Sequence, residues 1–389
     1  MKKIAMIGLG KLGQDCAEVM AEHYDVVGYD VNHRSPNFPM VNSIKQAVAG
    51  RDIIFIAVPT PHDAEYGGEK PTSQLPIKDF DYSVVMSVLI ELKEYVNQDQ
   101  LVVLISTILP GTVRNEFLPL IENMRFVYNP YLISMGTVKW DMTNPEMVII
   151  GSDDIKNAEE LVEFYKPLMQ NDPRYEIGTW DEAESIKIFY NTFISVKITL
   201  ANMIQDVAEL NGNINVDVVT NALTKSTKNI MGPGFMRAGM GAAGACHPRD
   251  NIALRHLANR LDLKYDFFET VMQAREAQAE LMAKTCLSYG NTITVIGKSY
   301  KPGVPFTHGS YSMLVAHYIE NLGGTVHFYD LNTGDTNFLI TDVYLISYWE
   351  DYVNLIQFPS TSTVIDPNRR LTNTQHSGHI VHYGNTRQL

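Results

Sequence analysis

The chain has 389 residues, of which 45% are hydrophobic and 19% charged, as in a globular protein with room for two or three domains. Its formal net charge of -13 argues against a nucleic-acid partner, because phosphate backbones are bound by basic surfaces. Three cysteines without CxxC spacing predict neither a disulfide framework nor a metal site. The early glycines of "MKKIAMIGLG" and the lack of a long apolar run predict no signal peptide and no membrane span. We therefore expect a reducing, cytoplasmic location.

The N-terminal segment "KKIAMIGLGKLGQDCAEVM" contains a glycine pattern of known chemistry. Gly8, Gly10 and Gly13 follow a short apolar strand and open a helical pattern that carries Leu12 and Cys16 on one face. The first glycine permits a tight turn, the second lets the backbone approach a pyrophosphate, and the third lets helix and strand pack closely. The pattern predicts a dinucleotide-binding loop, with Leu12 at the cofactor and Cys16 in buried packing.

A second strand, "YDVVGYD", ends at Asp30. A carboxylate at this place accepts hydrogen bonds from both ribose hydroxyls and repels a 2′-phosphate, so it favours NAD over NADP. Arg34 lies just beyond and is expected either to cover the adenine or to be a solvated surface residue.

Strand-like runs continue as "DIIFIAVPTP" and "LVVLISTILPGT", with helical stretches between them. This alternation predicts a parallel, doubly wound sheet over residues 1–178, whose ligands bind beyond the carboxyl ends of the strands. At those ends we expect cofactor contacts from Val58, Pro59, Thr60, Ser106 and Thr107.

Residues 179–289 are predicted to be helical. Thr179 and Glu182 form a capping box, and a single long helix runs from there to the stop signal at Gly212. Because its apolar residues cover more than one face, this helix is expected to form a domain core or the interface of at least a homodimer. We assign Cys286 to buried packing near the end of this region, and we assign to the core Phe189, Tyr190, Phe193 and, further along the chain, Tyr348.

Residues 290–389 restart the strand-turn pattern with "TITVIGKSYKPG" and reach a strand that ends in Asp330. The fold class is therefore α/β, with two Rossmann-like domains joined by a helical segment. The last domain lacks GxGxxG, so we expect it to hold a different ligand or none.

The segment "GAAGACHPRD" places Cys246 among small residues, with Asp250 four positions later. If this segment opens a helix, the positive end of its dipole would lower the pKa of the thiol and favour a thiolate nucleophile. Free cysteines are also common packing residues, so the local sequence leaves both interpretations open. On the long helix, Lys187 and Asn191 share one face because they are four residues apart.

Taken together, these motifs resemble the UDP-glucose/GDP-mannose dehydrogenase family over essentially the whole chain. The matching series is "GLGKLG", "YDVN", "AVPTP", "STILPGT", "KIFYNTF", "GACHPRD" and "GKSYKP", in the family's order. The resemblance implies a nucleotide-sugar substrate whose C6 alcohol is oxidised to a carboxylate with two NAD, with UDP-glucose as the preferred candidate.

The resemblance also implies roles for individual residues. Cys246 would hold the aldehyde as a thiohemiacetal and then a thioester, and Lys187 would stabilise the oxyanion. Asn191 would hold the sugar or join the oxyanion site, while Asp250 would orient water and Thr107 would position water or sugar. Two further residues, Gly244 and Lys301, would contact the substrate.

Two departures from the family pattern concern catalysis and specificity. Tyr131 and Met135 replace the glutamates of the family's "NPEFLREG", one of which is thought to assist thioester hydrolysis, and His308 stands in place of a substrate-contacting arginine. Two alternatives remain open. A two-electron β-hydroxyacid or 6-phosphogluconate-type dehydrogenase also joins a GxGxxG domain to a long helix that carries a Lys and an Asn. The missing glutamates favour the other alternative, an impaired homologue that binds NAD or a nucleotide sugar as a regulator.

Overall fold

The computed structural model describes residues 1–32, 34–61, 75–76, 79–134, 136–232, 238–240, 248, 251, 255, 257–372 and 376–385. The chain divides into two compact units, Met1–Ile198 and Thr199–Leu389, so the division falls inside the long helix. The boundaries that we predicted at residues 178 and 289 stay predictions.

The first unit alternates strands and helices as the sequence predicted. Its strands are β1 to β7, which span Lys3–Ile7, Asp25–Tyr29, Ile53–Ile56, Leu101–Leu104, Arg125–Tyr128, Met147–Gly151 and Arg174–Gly178. Its helices are α1 to α6, which span Gly13–Ala21, Ile44–Val48, Ser83–Lys93, Leu118–Ile121, Val138–Thr143 and Ile155–Tyr165, and a short π-helix at Val113–Phe117 precedes α4.

These strands form one sheet in the order β2-β1-β3-β4-β5-β6-β7. Alternate residues of β1 face two separate buried clusters: Ala5 and Ile7 on one side, Ile4 and Met6 on the other. The neighbouring pairs are parallel except β5 with β6, which meet antiparallel where Tyr128 lies opposite Gly151. The expectation of an all-parallel sheet is therefore wrong at this one pairing, because β6 runs back alongside β5 without the crossover connection that a parallel neighbour needs.

The long helix, α7, spans Trp180–Asn211. The capping box is formed: the Thr179 amide donates to a Glu182 carboxylate oxygen at 2.9 Å, and the Glu182 amide donates to the Thr179 hydroxyl at 3.3 Å. Gly212 follows with φ of +73°, a conformation that suits glycine and ends a helix. The assignment of Phe189 and Phe193 to the core is wrong within one chain, because they are 64% and 47% exposed.

The second unit contains helices α8 to α10, which span Val216–Thr224, Phe267–Leu287 and Tyr311–Asn321. Its strands are β8 to β12, which span Thr292–Ile296, Thr325–Tyr329, Val343–Ile346, Thr363–Ile365 and His379–Val381. They form a parallel sheet in the order β12-β11-β10-β8-β9, which repeats the order of the first five strands of the first unit. The two-sheet α/β class is thereby confirmed.

The predicted packing cysteines are buried. Cys16 on α1 and Cys286 on α9, the Phe267–Leu287 helix, have no exposed surface. Burial raises the pKa of both thiols, that of Cys286 to about 12. Within the ranges that the structure describes, no helix is long and apolar enough to cross a bilayer.

Candidate nucleotide-binding and catalytic site

The glycine loop after β1 has the close contacts that its spacing predicted. Gly8 has φ of +92°, and a Cβ on it would lie 2.7 Å from the Ala57 carbonyl oxygen. A Cβ on Gly13 would lie 2.1 Å from the Gly8 carbonyl oxygen, whereas a Cβ on Gly10 would meet nothing within 4 Å. Gly8 thus packs against the backbone after β3, Gly13 packs α1 against the end of β1, and Gly10 leaves open space. A pyrophosphate fits that space at the start of α1.

Asp30 lies at the carboxyl end of β2, beside this loop. Its carboxylate accepts from the amides of Leu9 and Asn32, each at 2.7 Å, and Arg34 approaches it at 3.6 Å. Burial opposes ionisation, but the two amides and the guanidinium outweigh it, so the pKa of Asp30 is lowered. Asp30 is therefore an anion, as a bidentate acceptor for ribose hydroxyls must be.

A cleft of about 890 Å³ opens along the carboxyl ends of the strands in the first unit. Every predicted cofactor residue lines it: Gly8, Gly10, Leu12, Gly13, Asp30, Arg34, Val58, Pro59, Thr60, Ser106 and Thr107. The cleft lies at β1, where the strand order reverses because β2 is on one side of β1 and β3 on the other. Open α/β sheets bind ligands at such a switch point.

Hydrogen bonds join the two loops at the far end of this cleft. The Thr60 hydroxyl donates to the Thr107 carbonyl oxygen at 2.8 Å, and the Ser106 hydroxyl donates to the Val58 carbonyl oxygen at 2.5 Å. The loops after β3 and β4 are therefore fixed to each other. Thr107 is therefore held through its backbone where it lines the cleft.

Lys187 of α7 also lines the cleft, half-buried. Its Nζ atom donates to the Tyr131 carbonyl oxygen at 2.7 Å, and burial lowers the pKa of its ammonium group. The structure therefore brings Lys187 to the same cleft as Thr107. The ammonium group keeps further donors with which it could stabilise a developing oxyanion.

The Tyr131 side chain points to a different environment from its carbonyl group. Its hydroxyl lies 2.7 Å from the hydroxyl of Tyr165, which is buried and donates in turn to Asn129. Burial raises the pKa of Tyr131 well above its ordinary value. The phenol is thus held in a hydrogen-bonded chain and does not offer a base for activating water.

Comparisons with known proteins agree with this geometry. Residues 32–169 match the NAD binding domain of the UDP-glucose/GDP-mannose dehydrogenase family, and residues 181–277 match that family's central domain. The chain belongs to the UDP-glucose/GDP-mannose dehydrogenase family.

Among its relatives in this family, a UDP-glucose 6-dehydrogenase of Bacillus subtilis is 26% identical over 74% of this chain and 64% of its own length. A GDP-mannose 6-dehydrogenase of Pseudomonas aeruginosa is 26% identical over 85% of this chain and 81% of its own. The crystal structure of a ternary complex of GDP-mannose dehydrogenase from Pseudomonas aeruginosa covers 97% of this chain and 99% of its own, with a TM-score of 0.81 at 23% identity. That likeness shows a common fold, and the family's NAD binding domain identifies NAD as the cofactor of the cleft.

The remaining predicted site residues of this family member are not in the cleft lining, belong to the second unit, or lie outside the described residues. Asn191 is an exposed residue of α7, and Lys301 is an exposed residue of the second unit with its Nζ atom 5.4 Å from the centre of the Tyr300 ring. The residues outside the described ranges are Met135, Gly244, Cys246 and Asp250. Their roles stay predictions.

Sequence reasoning missed one wall of the cleft. Helix α3 contributes Val84, Ser87, Val88 and Glu91, which recur at the spacing of one helix face. In the sequence, only the position of α3 between two strands whose carboxyl ends bind the cofactor pointed to these residues. Apolar spacing alone does not distinguish a helix face that lines a cleft from one that packs in the core.

The second unit has an aspartate at the place that corresponds to Asp30, but a tyrosine side chain occupies the space beside it. Asp330 follows β9 as Asp30 follows β2, and it accepts from the amides of Lys298 and Ser299 at 2.8 and 2.9 Å. The Tyr348 hydroxyl donates to the same carboxylate at 2.7 Å, and the Tyr348 ring lies 2.8 Å from where a Cβ on Gly297 would be. A tyrosine thus lies against the turn that replaces the glycine loop.

Proposed function

We propose that this family member oxidises the C6 alcohol of a nucleotide sugar to a carboxylate, with UDP-glucose to UDP-glucuronate as the first reaction to test. The observation that carries the proposal is that Lys187 and Thr107 line the NAD cleft together. The named reactions of the relatives from Bacillus subtilis and Pseudomonas aeruginosa support it, since both are 6-dehydrogenases of nucleotide sugars.

The chain's own residues would divide the chemistry as follows. Two NAD molecules, bound one after the other, would each accept one hydride, the first from the alcohol and the second from the thiohemiacetal. The Cys246 thiolate would add to the aldehyde carbon, and Lys187 would stabilise the oxyanion that this addition creates. Loss of the second hydride leaves a thioester, and water then releases the carboxylate and restores the thiol.

Other residues would hold the sugar and the water. Asn191 would join the oxyanion site or hold the sugar, and Asp250 would orient the attacking water. Gly244 and Lys301 would contact the nucleotide sugar, and Thr107 would position water or sugar beside the cofactor. Because the Tyr131 phenol is held by Tyr165, we assign no base function to Tyr131.

We further propose that the functional unit is a homodimer formed through α7. Phe189, Phe193, Val196 and Leu200 recur at helical spacing, and all are at least 40% exposed in the single chain. An apolar stripe of this kind is typical of a surface that a partner covers. A free nucleophilic thiol also favours a reducing compartment, so we propose that the protein is cytoplasmic.

The test is the NADH stoichiometry of the purified protein with NAD and UDP-glucose, GDP-mannose or UDP-N-acetylmannosamine. Two NADH per sugar are expected, and Cys246→Ala should abolish the second. Cys286→Ala is the matched control, because that buried thiol has a pKa raised to about 12 and should leave turnover unchanged. Full activity in Cys246→Ala would favour the two-electron alternative, and binding without turnover on every sugar would favour the regulatory one.

A further inference from the structure

Glu184 is a buried acid of α7 to which the chemistry above gives no function. Its side chain has no exposed surface, and its two carboxylate oxygens accept from the backbone amides of Gly111 and Val113, the latter at 2.8 Å. Gly111 and Val113 belong to the turn that follows β4. Glu184 therefore connects the long helix to the loop on which Ser106 and Thr107 lie.

The surroundings of Glu184 make burial of its carboxylate energetically unfavourable. Its charged and titratable neighbours are Asp181, Arg114 and Tyr128, and the Arg114 guanidinium is already paired with Asp181 at 2.8 Å and Asp153 at 3.1 Å. Across the described part of the chain, no ion pair includes Glu184. A buried carboxylate without a cation is costly unless backbone donors satisfy it, as they do here.

Further hydrogen bonds hold both ends of the loop that contains this turn. The Thr112 hydroxyl donates to the Leu109 carbonyl oxygen at 2.7 Å, and the Leu109 amide donates to the Tyr82 hydroxyl at 3.3 Å. At the other end of the same loop, the Thr60 hydroxyl holds the Thr107 carbonyl oxygen. The loop over residues 105–113 is thus fixed by β3 and its loop on one side and by Glu184 on the other.

The orientation of the bound cofactor determines which half of the dinucleotide the 105–113 loop would contact. With the pyrophosphate at Gly10 and the adenosine ribose at Asp30 on β2, the other half of the dinucleotide must extend the opposite way, over β3 and β4. Ser106 and Thr107 lie at the end of β4, so they would meet the nicotinamide half.

We propose that Glu184 is a positioning residue that holds the 105–113 loop at the nicotinamide end of the cleft. Lys187 lies three residues further along α7, on the same face. One face of α7 would therefore hold the loop beside the nicotinamide through Glu184 and place the Lys187 ammonium group at the reacting carbon.

The test compares two ligands and two variants with a matched control. NAD and ADP-ribose share the adenosine half, but only NAD has a nicotinamide. Glu184→Ala should weaken NAD binding by at least about fivefold and change ADP-ribose binding less than about twofold, measured by calorimetry. Glu184→Gln keeps one acceptor oxygen and the side-chain volume, so it should fold and give an intermediate loss.

Gln100→Ala is the control for loss of a buried polar contact in the same sheet. The Gln100 side chain donates to the carbonyl oxygens of Val48 and Arg51, both at 2.8 Å, just before β4 at the edge away from the cleft. The Gln100→Ala substitution should lower the melting temperature and leave the affinities for NAD and ADP-ribose unchanged. Equal weakening of NAD and ADP-ribose in the two Glu184 variants, or unchanged NAD binding in both, would overturn the proposal.

A second readout rests on the proposed oxidation of a nucleotide sugar. There Glu184→Gln should lower kcat more than it raises the KM for the sugar, because the loop acts at the reacting end of the cofactor. If the wild-type protein oxidises no nucleotide sugar, the proposed function fails, and the comparison of NAD with ADP-ribose still decides the role of Glu184.

Discussion

The ammonium group of Lys187 donates to the backbone carbonyl oxygen of Tyr131 at 2.7 Å, while the Tyr131 hydroxyl lies 2.7 Å from the hydroxyl of Tyr165. Tyr131 therefore orients the lysine through its backbone, and its own hydroxyl is hydrogen-bonded to Tyr165. At position 131, where the family resemblance predicts a glutamate, the chain offers Lys187 a backbone carbonyl oxygen.

Replacing Lys187 by methionine should separate catalysis from stability. We expect kcat/KM to fall by about 100-fold or more, because an oxyanion donor is lost. The free energy of unfolding should stay the same or rise, because a half-buried charge becomes an apolar side chain of similar length.

The lowered pKa of Lys187 adds a pH dependence with a definite sign. Burial lowers the pKa of this ammonium group, so its penalty on folding is fully present below the lowered pKa and is lost as pH rises toward the ordinary value. Any stability advantage of Lys187→Met should therefore shrink in alkaline solution. Lys93→Met is the control: the exposed Lys93 donates to the Pro119 carbonyl oxygen at 3.1 Å, and its loss should change neither quantity. Full turnover in Lys187→Met would contradict the assigned role.

Asp30→Asn should reduce the preference for NAD. The amide still accepts from Leu9, but the negative charge that binds ribose hydroxyls and repels a 2′-phosphate is gone. We expect the Kd for NAD to rise about tenfold and the ratio of NADP to NAD affinity to increase, measured by calorimetry. Asp25→Asn, at the opposite end of β2 and paired with Arg51, should leave both affinities unchanged. An unaltered NAD affinity in Asp30→Asn would show that the carboxylate does not contact the ribose.

Tyr131→Phe should cost stability and spare turnover. It removes one hydroxyl from the chain with Tyr165, so the free energy of unfolding should fall by about 1 kcal/mol in urea. NADH formation should remain within about twofold of wild type, since a phenol hydroxyl that is hydrogen-bonded to Tyr165 is not available to activate water. Tyr24→Phe, which loses a bond to the Phe164 carbonyl oxygen at 2.7 Å, should behave similarly. A large loss of the second NADH in Tyr131→Phe alone would identify Tyr131 as a participant in thioester release.

Phe193→Asp should dissociate the proposed dimer, because it puts a charge in the middle of the exposed stripe on α7. The dimer dissociation constant should rise by at least about tenfold, measured as the mass in solution over a range of concentrations. Leu355→Asp, at a residue that is 82% exposed elsewhere on the chain, should leave the mass unchanged. A wild-type protein that is already monomeric would refute the dimer.

The sequence alone determined the features that depend on neighbours close along the chain. The spacing of Gly8, Gly10 and Gly13, the carboxylate of Asp30 and the ends of α7 all follow from local backbone geometry, and the structure agrees with each. The burial of Cys16 was equally predictable, because helical spacing put it on the face that packs against the sheet.

Tertiary structure decided what depends on residues that are distant in sequence. Lys187 meets Tyr131, and Glu184 meets Gly111 and Val113, only because α7 crosses the loops at the carboxyl ends of β4 and β5. The antiparallel pairing of β5 with β6 and the exposure of Phe193 could not be predicted from local pattern either, because hydrophobic spacing does not specify which partner covers a face. Long-range packing thus places the Tyr131 hydroxyl against Tyr165 and the Glu184 carboxylate against the turn after β4.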